Sequence, residues 1–172
     1  LKDGGVVILP TETVYGIACR ADNAAAIARI YDMKGRGFDK PFAVCVKDVA
    51  QAHNLAKFSQ TALSLAAQFW PGPLTLVLPA KSKTLNAHCY HRETIALHCP
   101  DINWRETFLG TPLALTSANR SGEPASIDLP VDGSLNGGPV ENNVPSTMLK
   151  VEGDKITLLR EGALDAASLA AY

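Results

Sequence analysis

Two prolines around a glycine pin the chain at WPGP, residues 70–73, and the apolar run LTLVLP follows at 74–79. Proline fixes φ and removes a backbone donor, so no helix can run through this turn. The apolar run is too short for a stable helix and ends on another proline, so it predicts a buried strand. The same pattern recurs along the chain. GGVVILP (4–10), PFAVCV (41–46), ETIALHC (93–99), TPLALTS (111–117), STMLKV (146–151) and KITLLR (155–160) each read as a short strand between breakers. The last two flank EGDK, a hairpin signal.

Helical stretches lie between the early strands. TETVYG breaks the first run, and Asp22 is expected to cap a helix through NAAAIARIYDMK. Ile27, Ile30, Tyr31 and Lys34 then share one face, which puts a lysine at the end of an apolar stripe. Gly35 suits the left-handed turn that ends such a helix. Two more helices are expected at about 48–57 and 60–69, and a short one in ALDAASLAAY. Alternating strands and helices followed by a strand-rich half predict an α/β fold, a mixed sheet with helices packed on it. There are no repeats, low-complexity tracts or internal linkers, so residues 1–172 are expected to form a single domain.

Composition limits the function classes. A formal charge of −1 argues against coating nucleic acid by bulk charge, so any anion site must be local. No apolar run reaches the ~18 residues of a membrane span. Cys19, Cys45, Cys89 and Cys99 form no C-x-x-C pair, and free thiols in a cytoplasmic or organelle-matrix setting are expected. The glycine-loop nucleotide motifs and the G-x-S-x-G elbow are absent. His88, His91 and His98 cluster in HCYHRETIALHC, but their spacing fits no standard zinc site, so no metal held by protein side chains is expected.

Four polar stretches interrupt the apolar pattern: PTETVYG (10–16), KGRGFDKP (34–41), TSANRSGEP (116–124) and NNVPSTM (142–148). Each adjoins a strand end, where open sheets place ligands. Lys34 and Arg36, one glycine apart, could bracket a polyanion, and the Ser117–Asn119 turn offers hydroxyl and amide groups to its oxygens. The alternative is structural: a lysine and arginine that favour the helix dipole, and a turn that bonds its own backbone. The chemistry alone leaves both open.

Taken in order, LPTETVYGIA, KGR, WPGPLTLVLP and LTSANRSGEP, with PST and LLREGAL beyond them, resemble the threonylcarbamoyl-adenylate synthase (YrdC-like) family. The resemblance runs from about Val6 to Leu164. It implies the YrdC-like fold, a twisted mixed sheet with flanking helices and a basic concave face. It also implies a nucleotidyltransferase that makes threonylcarbamoyl-adenylate and pyrophosphate from L-threonine, bicarbonate and ATP, with Mg²⁺ accompanying ATP. The product would pass to a complex that modifies tRNA, and direct tRNA contact stays open.

By this resemblance Lys34, Arg36, Ser117 and Asn119 are the catalytic positions. Thr13 and Tyr15, with Lys34 and Ser117, would line the threonine pocket. Arg36, Asn119, Ser146, Thr147 and Arg160 would meet the nucleotide. His98 departs from the family pattern, which more often has arginine there, so one anion contact is expected to be weaker or pH-dependent. Two other readings compete: an RNA-binding module without catalysis, and one domain of a larger carbamoyl-transferring protein.

Overall fold

The computed structural model describes residues 1, 3–119, 129–138 and 143–169. Among these, the strands are β1 (Val7–Leu9), β2 (Gly16–Arg20), β3 (Ala43–Cys45), β4 (Leu74–Pro79), β5 (Tyr90–His91), β6 (Thr94–His98), β7 (Leu113–Ser117), β8 (Gly133–Ser134), β9 (Thr147–Glu152) and β10 (Lys155–Arg160). They form one twisted mixed sheet in the order β10-β9-β4-β6-β3-β7-β2-β1-β8, with β5 paired to β6 off this path. β9 on β4, β3 on β6 and β8 on β1 are parallel; the other pairs are antiparallel.

Side chains alternate across a strand, so each strand divides its residues between two faces. One face presents Ile8, Ile17, Val44, Leu76, Leu97 and Leu149 to the main core. Helices α1 (Ala24–Lys34), α2 (Val49–Leu55) and α3 (Gln60–Phe69) cover it through Ile27, Ile30, Leu55 and Leu65. The opposite face is covered only in part. Leu9, Ala18, Cys45 and Leu113 pack there under Trp104 and Leu109, which flank α4 (Arg105–Phe108). Trp104 Nε1 anchors this cover by donating to the Pro10 carbonyl at 2.6 Å. Among the described residues the rest of that face is left uncovered, and the cavity lies there.

The helix caps follow the sequence with one correction. Asn23, not Asp22, caps α1, accepting from Ala26 N–H at 2.9 Å. Asp22 instead pairs with Arg20 at 2.6 Å. Gly35 ends α1 at φ 57°, ψ 37°, a left-handed conformation that costs glycine little. Helices α2 and α3 fall within the expected spans, and Glu152 pairs with Lys155 across the expected hairpin. α5 (Ala166–Leu169) is the short final helix. TETVYG does interrupt the first strand, and β2, which the sequence pattern did not indicate, begins at its final glycine.

Candidate functional site

The open face holds a cavity of about 510 Å³, large enough for a nucleotide-sized ligand. Its wall brings together Thr11 and Thr13 from the β1–β2 connection, Arg36 from the loop after α1, and Ser117 and Asn119 at the end of β7. Ser146 joins them from the approach to β9, and Arg160 from the end of β10. Residues far apart in sequence thus meet because their strands lie side by side. Arg120, Ser121, Gly122 and Asn142 of the polar stretches lie outside the described residues.

Lys34 does not itself line the cavity. It is buried, 4% exposed, at the end of the apolar stripe of α1. Its ammonium donates to the Ser117 carbonyl at 2.5 Å, the Asn119 carbonyl at 2.7 Å and Asn119 Oδ1 at 3.0 Å. A lysine has three N–H donors, so the 117–119 turn engages all of them. The turn is closed further by Ser117 Oγ donating to Asn119 Oδ1 at 2.6 Å and by Ala118 N–H donating to the Tyr15 carbonyl at 2.8 Å. Burial pushes the Lys34 ammonium down to about 8, and nearby Arg36 adds to the effect. Lys34 therefore fixes where the cavity-lining Ser117 and Asn119 stand.

Arg36 lies on the wall and is tied down from behind. Nη1 donates to Thr116 Oγ1 at 2.8 Å, and Nη2 to the Lys40 and Pro41 carbonyls at 2.9 Å each. Nε is buried and has no hydrogen-bond partner among the described residues. The guanidinium sits 5.6 Å from the Phe42 ring centroid, a cation–π contact. Burial lowers its pKa, though an arginine stays charged. Lys40 contributes its carbonyl, which also accepts from Tyr31 Oη at 2.8 Å.

Across the cavity Arg160 donates through Nε and Nη2 to the Ser146 carbonyl at 3.1 and 2.8 Å. Ser146 Oγ lies 2.7 Å from Thr75 Oγ1. Thr75 was absent from the sequence-derived site; the signal was a single hydroxyl inside the apolar run LTLVLP. Thr147 points away from the cavity. It follows Ser146 by one residue and so takes the other face of the strand. Its Oγ1 donates to the Leu164 carbonyl and accepts from Leu164 N–H, both at 3.0 Å, tying down the segment after β10.

Thr13 lies on the wall, buried, with Oγ1 2.9 Å from Thr11 Oγ1. Tyr15 is not among the wall residues: its hydroxyl donates to the Gly138 carbonyl at 2.7 Å and accepts from Gly137 N–H at 3.0 Å. His98 reaches the wall from the end of β6. Its Nδ1 is 3.1 Å from the Leu74 carbonyl and its Nε2 3.1 Å from Glu12 Oε1. The pairing with Glu12 could not be read from the sequence.

Among the described residues, no group of three or more histidine, cysteine or acidic side chains could hold a metal ion. No helix among them is long and apolar enough to cross a membrane. All four cysteines are free and buried.

The profile of the Sua5/YciO/YrdC family, described as "Telomere recombination", matches residues 1–162. A Bacillus subtilis protein named threonylcarbamoyl-AMP synthase is 36% identical over 95% of this chain and 51% of its own length. The crystal structure of Pyrococcus abyssi Sua5 complexed with L-threonine superposes with a TM-score of 0.90 at 31% identity, over 99% of this chain and 54% of that one. Escherichia coli YciO shares the fold, with a TM-score of 0.83 at 22% identity over 95% of this chain and 86% of that one. The chain thus spans about half the length of the Bacillus and Pyrococcus relatives. By family profile, sequence identity and architecture together, the chain belongs to the Sua5/YciO/YrdC family.

Proposed function

We propose that this chain carries the threonylcarbamoyl-AMP synthase reaction, joining L-threonine, bicarbonate and ATP into threonylcarbamoyl-adenylate with release of pyrophosphate. The observation that carries the reading is the cavity itself. Two arginines stand on its opposite walls, and a turn of hydroxyl and amide groups is held rigid from behind by Lys34. The Pyrococcus structure with L-threonine, in a relative of nearly the same fold, supports threonine as one substrate. The curated Bacillus relative supports the adenylate product.

The chemistry asks for positioning and charge neutralisation. The threonine amine attacks the bicarbonate carbon, the C–OH bond breaks and water leaves with an amine proton, giving a carbamate, and a carbamate oxygen then attacks the α-phosphorus. The bond from that phosphorus to its bridging oxygen breaks, and the electron pair leaves with pyrophosphate. Arg36 and Arg160 stabilise the charge that moves onto the leaving group. Ser117 and Asn119 orient the carbamate, with Lys34 acting through the turn rather than on the substrate. Thr13 serves the threonine end and Ser146, with Thr75, the phosphate end. Gathering three reactants in one walled cavity supplies a large share of the rate through proximity.

Mg²⁺ fits this arrangement as a companion of the phosphates. The described wall offers hydroxyls, two amides, an imidazole and cations but no carboxylate ligand. Bound there, the metal would neutralise phosphate charge and polarise the reacting phosphoryl group. The product, a reactive acyl phosphate anhydride, suits onward transfer to tRNA by a partner complex in a cytoplasmic or organelle-matrix setting. The basic character of the open face rests in this reading on Arg36 and Arg160.

The test is pyrophosphate release from ATP, with threonine and bicarbonate omitted in turn. Release that requires both supports the assignment. Release indifferent to threonine refutes it.

A further inference from the structure

We infer that Tyr31 is a positioning residue for the anion site: its hydroxyl, acting through the Lys40 carbonyl, holds the Arg36 guanidinium in the orientation that it presents to the cavity. This rests on the reading of the cavity as a phosphate site and adds to it a residue that is not on the wall.

Arg36 stands in a segment that cannot hold it alone. The connection from α1 to β3 contains Gly35 and Gly37, and residues 37–40 are exposed. The side chain is fixed by its bonds to Thr116 Oγ1 and to the Lys40 and Pro41 carbonyls. A guanidinium is a rigid planar fork, so the donors held by the protein set the aim of the whole group.

Two of the three acceptors are anchored by the fold. Thr116 belongs to β7. Pro41 precedes the buried Phe42, whose N–H donates to the His88 carbonyl at 2.9 Å. Lys40 has no such footing: its own N–H reaches only Gly37 of the same connection, at 3.3 Å. Among the described residues, the bond that ties its carbonyl to the core is the one from Tyr31 Oη at 2.8 Å. A carbonyl oxygen has two lone pairs, so it can accept from Tyr31 and Arg36 together.

Tyr31 is 1% exposed, and its ring packs edge-on against Phe42 and His88 at 4.9 and 5.1 Å. Phenylalanine would make the same ring contacts, so packing alone does not call for the hydroxyl. A buried hydroxyl needs a partner, and the one it has is the acceptor that Arg36 uses. Burial raises the phenol above the ordinary tyrosine range, with Arg36 acting against the rise, so the hydroxyl keeps its hydrogen and stays a donor. The main chain adds a second link, since the Tyr31 carbonyl accepts from Arg36 N–H at 3.2 Å. The last turns of α1 therefore steady two parts of the wall, Lys34 the 117–119 turn and Tyr31 the arginine.

The test is calorimetric titration with inorganic pyrophosphate on the wild type, Tyr31→Phe, Arg36→Ala and the double variant. Tyr31→Phe alone should weaken binding by about five- to tenfold. With Arg36 already replaced, the same change should alter affinity by less than about twofold, because no guanidinium remains to be aimed. In turnover Tyr31→Phe should lower kcat by a similar factor and leave KM for L-threonine within about twofold. Equal weakening with and without Arg36 would overturn the inference, since the hydroxyl would then be a prop of the fold. So would unchanged pyrophosphate affinity in Tyr31→Phe. Absence of binding in the wild type would instead refute the phosphate reading itself, and the inference with it. The enzymatic reading is decided separately, by the dependence of pyrophosphate release on threonine and bicarbonate.

Discussion

Replacing Lys34 by methionine separates the stability of the fold from the order of its site. Methionine keeps the apolar stem and removes the ammonium. In the wild type, burial lowers this group from 10.5 to about 8, so a protonated Lys34 opposes folding by up to about 3 kcal/mol. Against that stand three hydrogen bonds to the 117–119 turn, each favouring the folded state by about 1.5 to 3 kcal/mol when the donor is charged. The three bonds outweigh that penalty, so Lys34→Met should lower stability at neutral pH by about 1.5 to 6 kcal/mol. Turnover should fall by at least about a hundredfold, because the turn loses its anchor. The pH dependence isolates the mechanism. Between about pH 8 and 10.5 the unfolded chain holds the lysine proton more tightly than the folded one, so this group's contribution to stability increases as pH rises. The extra stability is complete above 10.5 and absent below 8. Urea titrations of both proteins across this window read it directly, and the difference between them cancels every other titrating group. A pH-independent difference would refute the argument, as would full activity in the variant.

Three further outcomes test the rest of the site. Thr147→Val should lower stability by about 1 to 2 kcal/mol in denaturant melts, through its two lost bonds to Leu164, and leave turnover within about twofold. Gly162→Ala should cost more than about 2 kcal/mol, seen as a fall of several degrees in Tm, because a Cβ there would collide with the Pro145 carbonyl and the Thr147 amide. Chelation by EDTA should abolish pyrophosphate release without moving Tm, since the described residues offer no metal cluster that could stabilise the fold.

The sheet was legible where a strand had clear breakers and one apolar face. β4 after its prolines, the β9–β10 hairpin and the α1 stripe ending on Lys34 all followed from spacing. β2 was missed because it starts on a glycine directly after a polar turn, and its strand character comes from neighbours on both sides, β1 and β7. Arg36, Ser117, Ser146 and Arg160 could be brought together only by sequence resemblance, since no local rule joins such distant positions. The inward turn of Lys34 was half visible: its place on the apolar stripe implied burial, but not the two carbonyls that receive it. Thr147 shows the opposite limit. A motif treats adjacent residues as one unit, whereas strand geometry sends Ser146 and Thr147 to different faces.

The open face has a consequence for how this sequence tolerates change. Because the helices cover one side of the sheet and the cavity occupies the other, neighbouring positions on a strand answer to different selective demands. Along β9, Thr147, Leu149 and Val151 are buried, whereas Met148 meets the cavity. A saturation screen scored once for protein abundance and once for product should therefore give two profiles offset by a single residue. Abundance would mark one set of positions and product formation the intervening set near the cavity. Drift in ligand preference is then open to this strand without loss of the molecule, one side chain at a time.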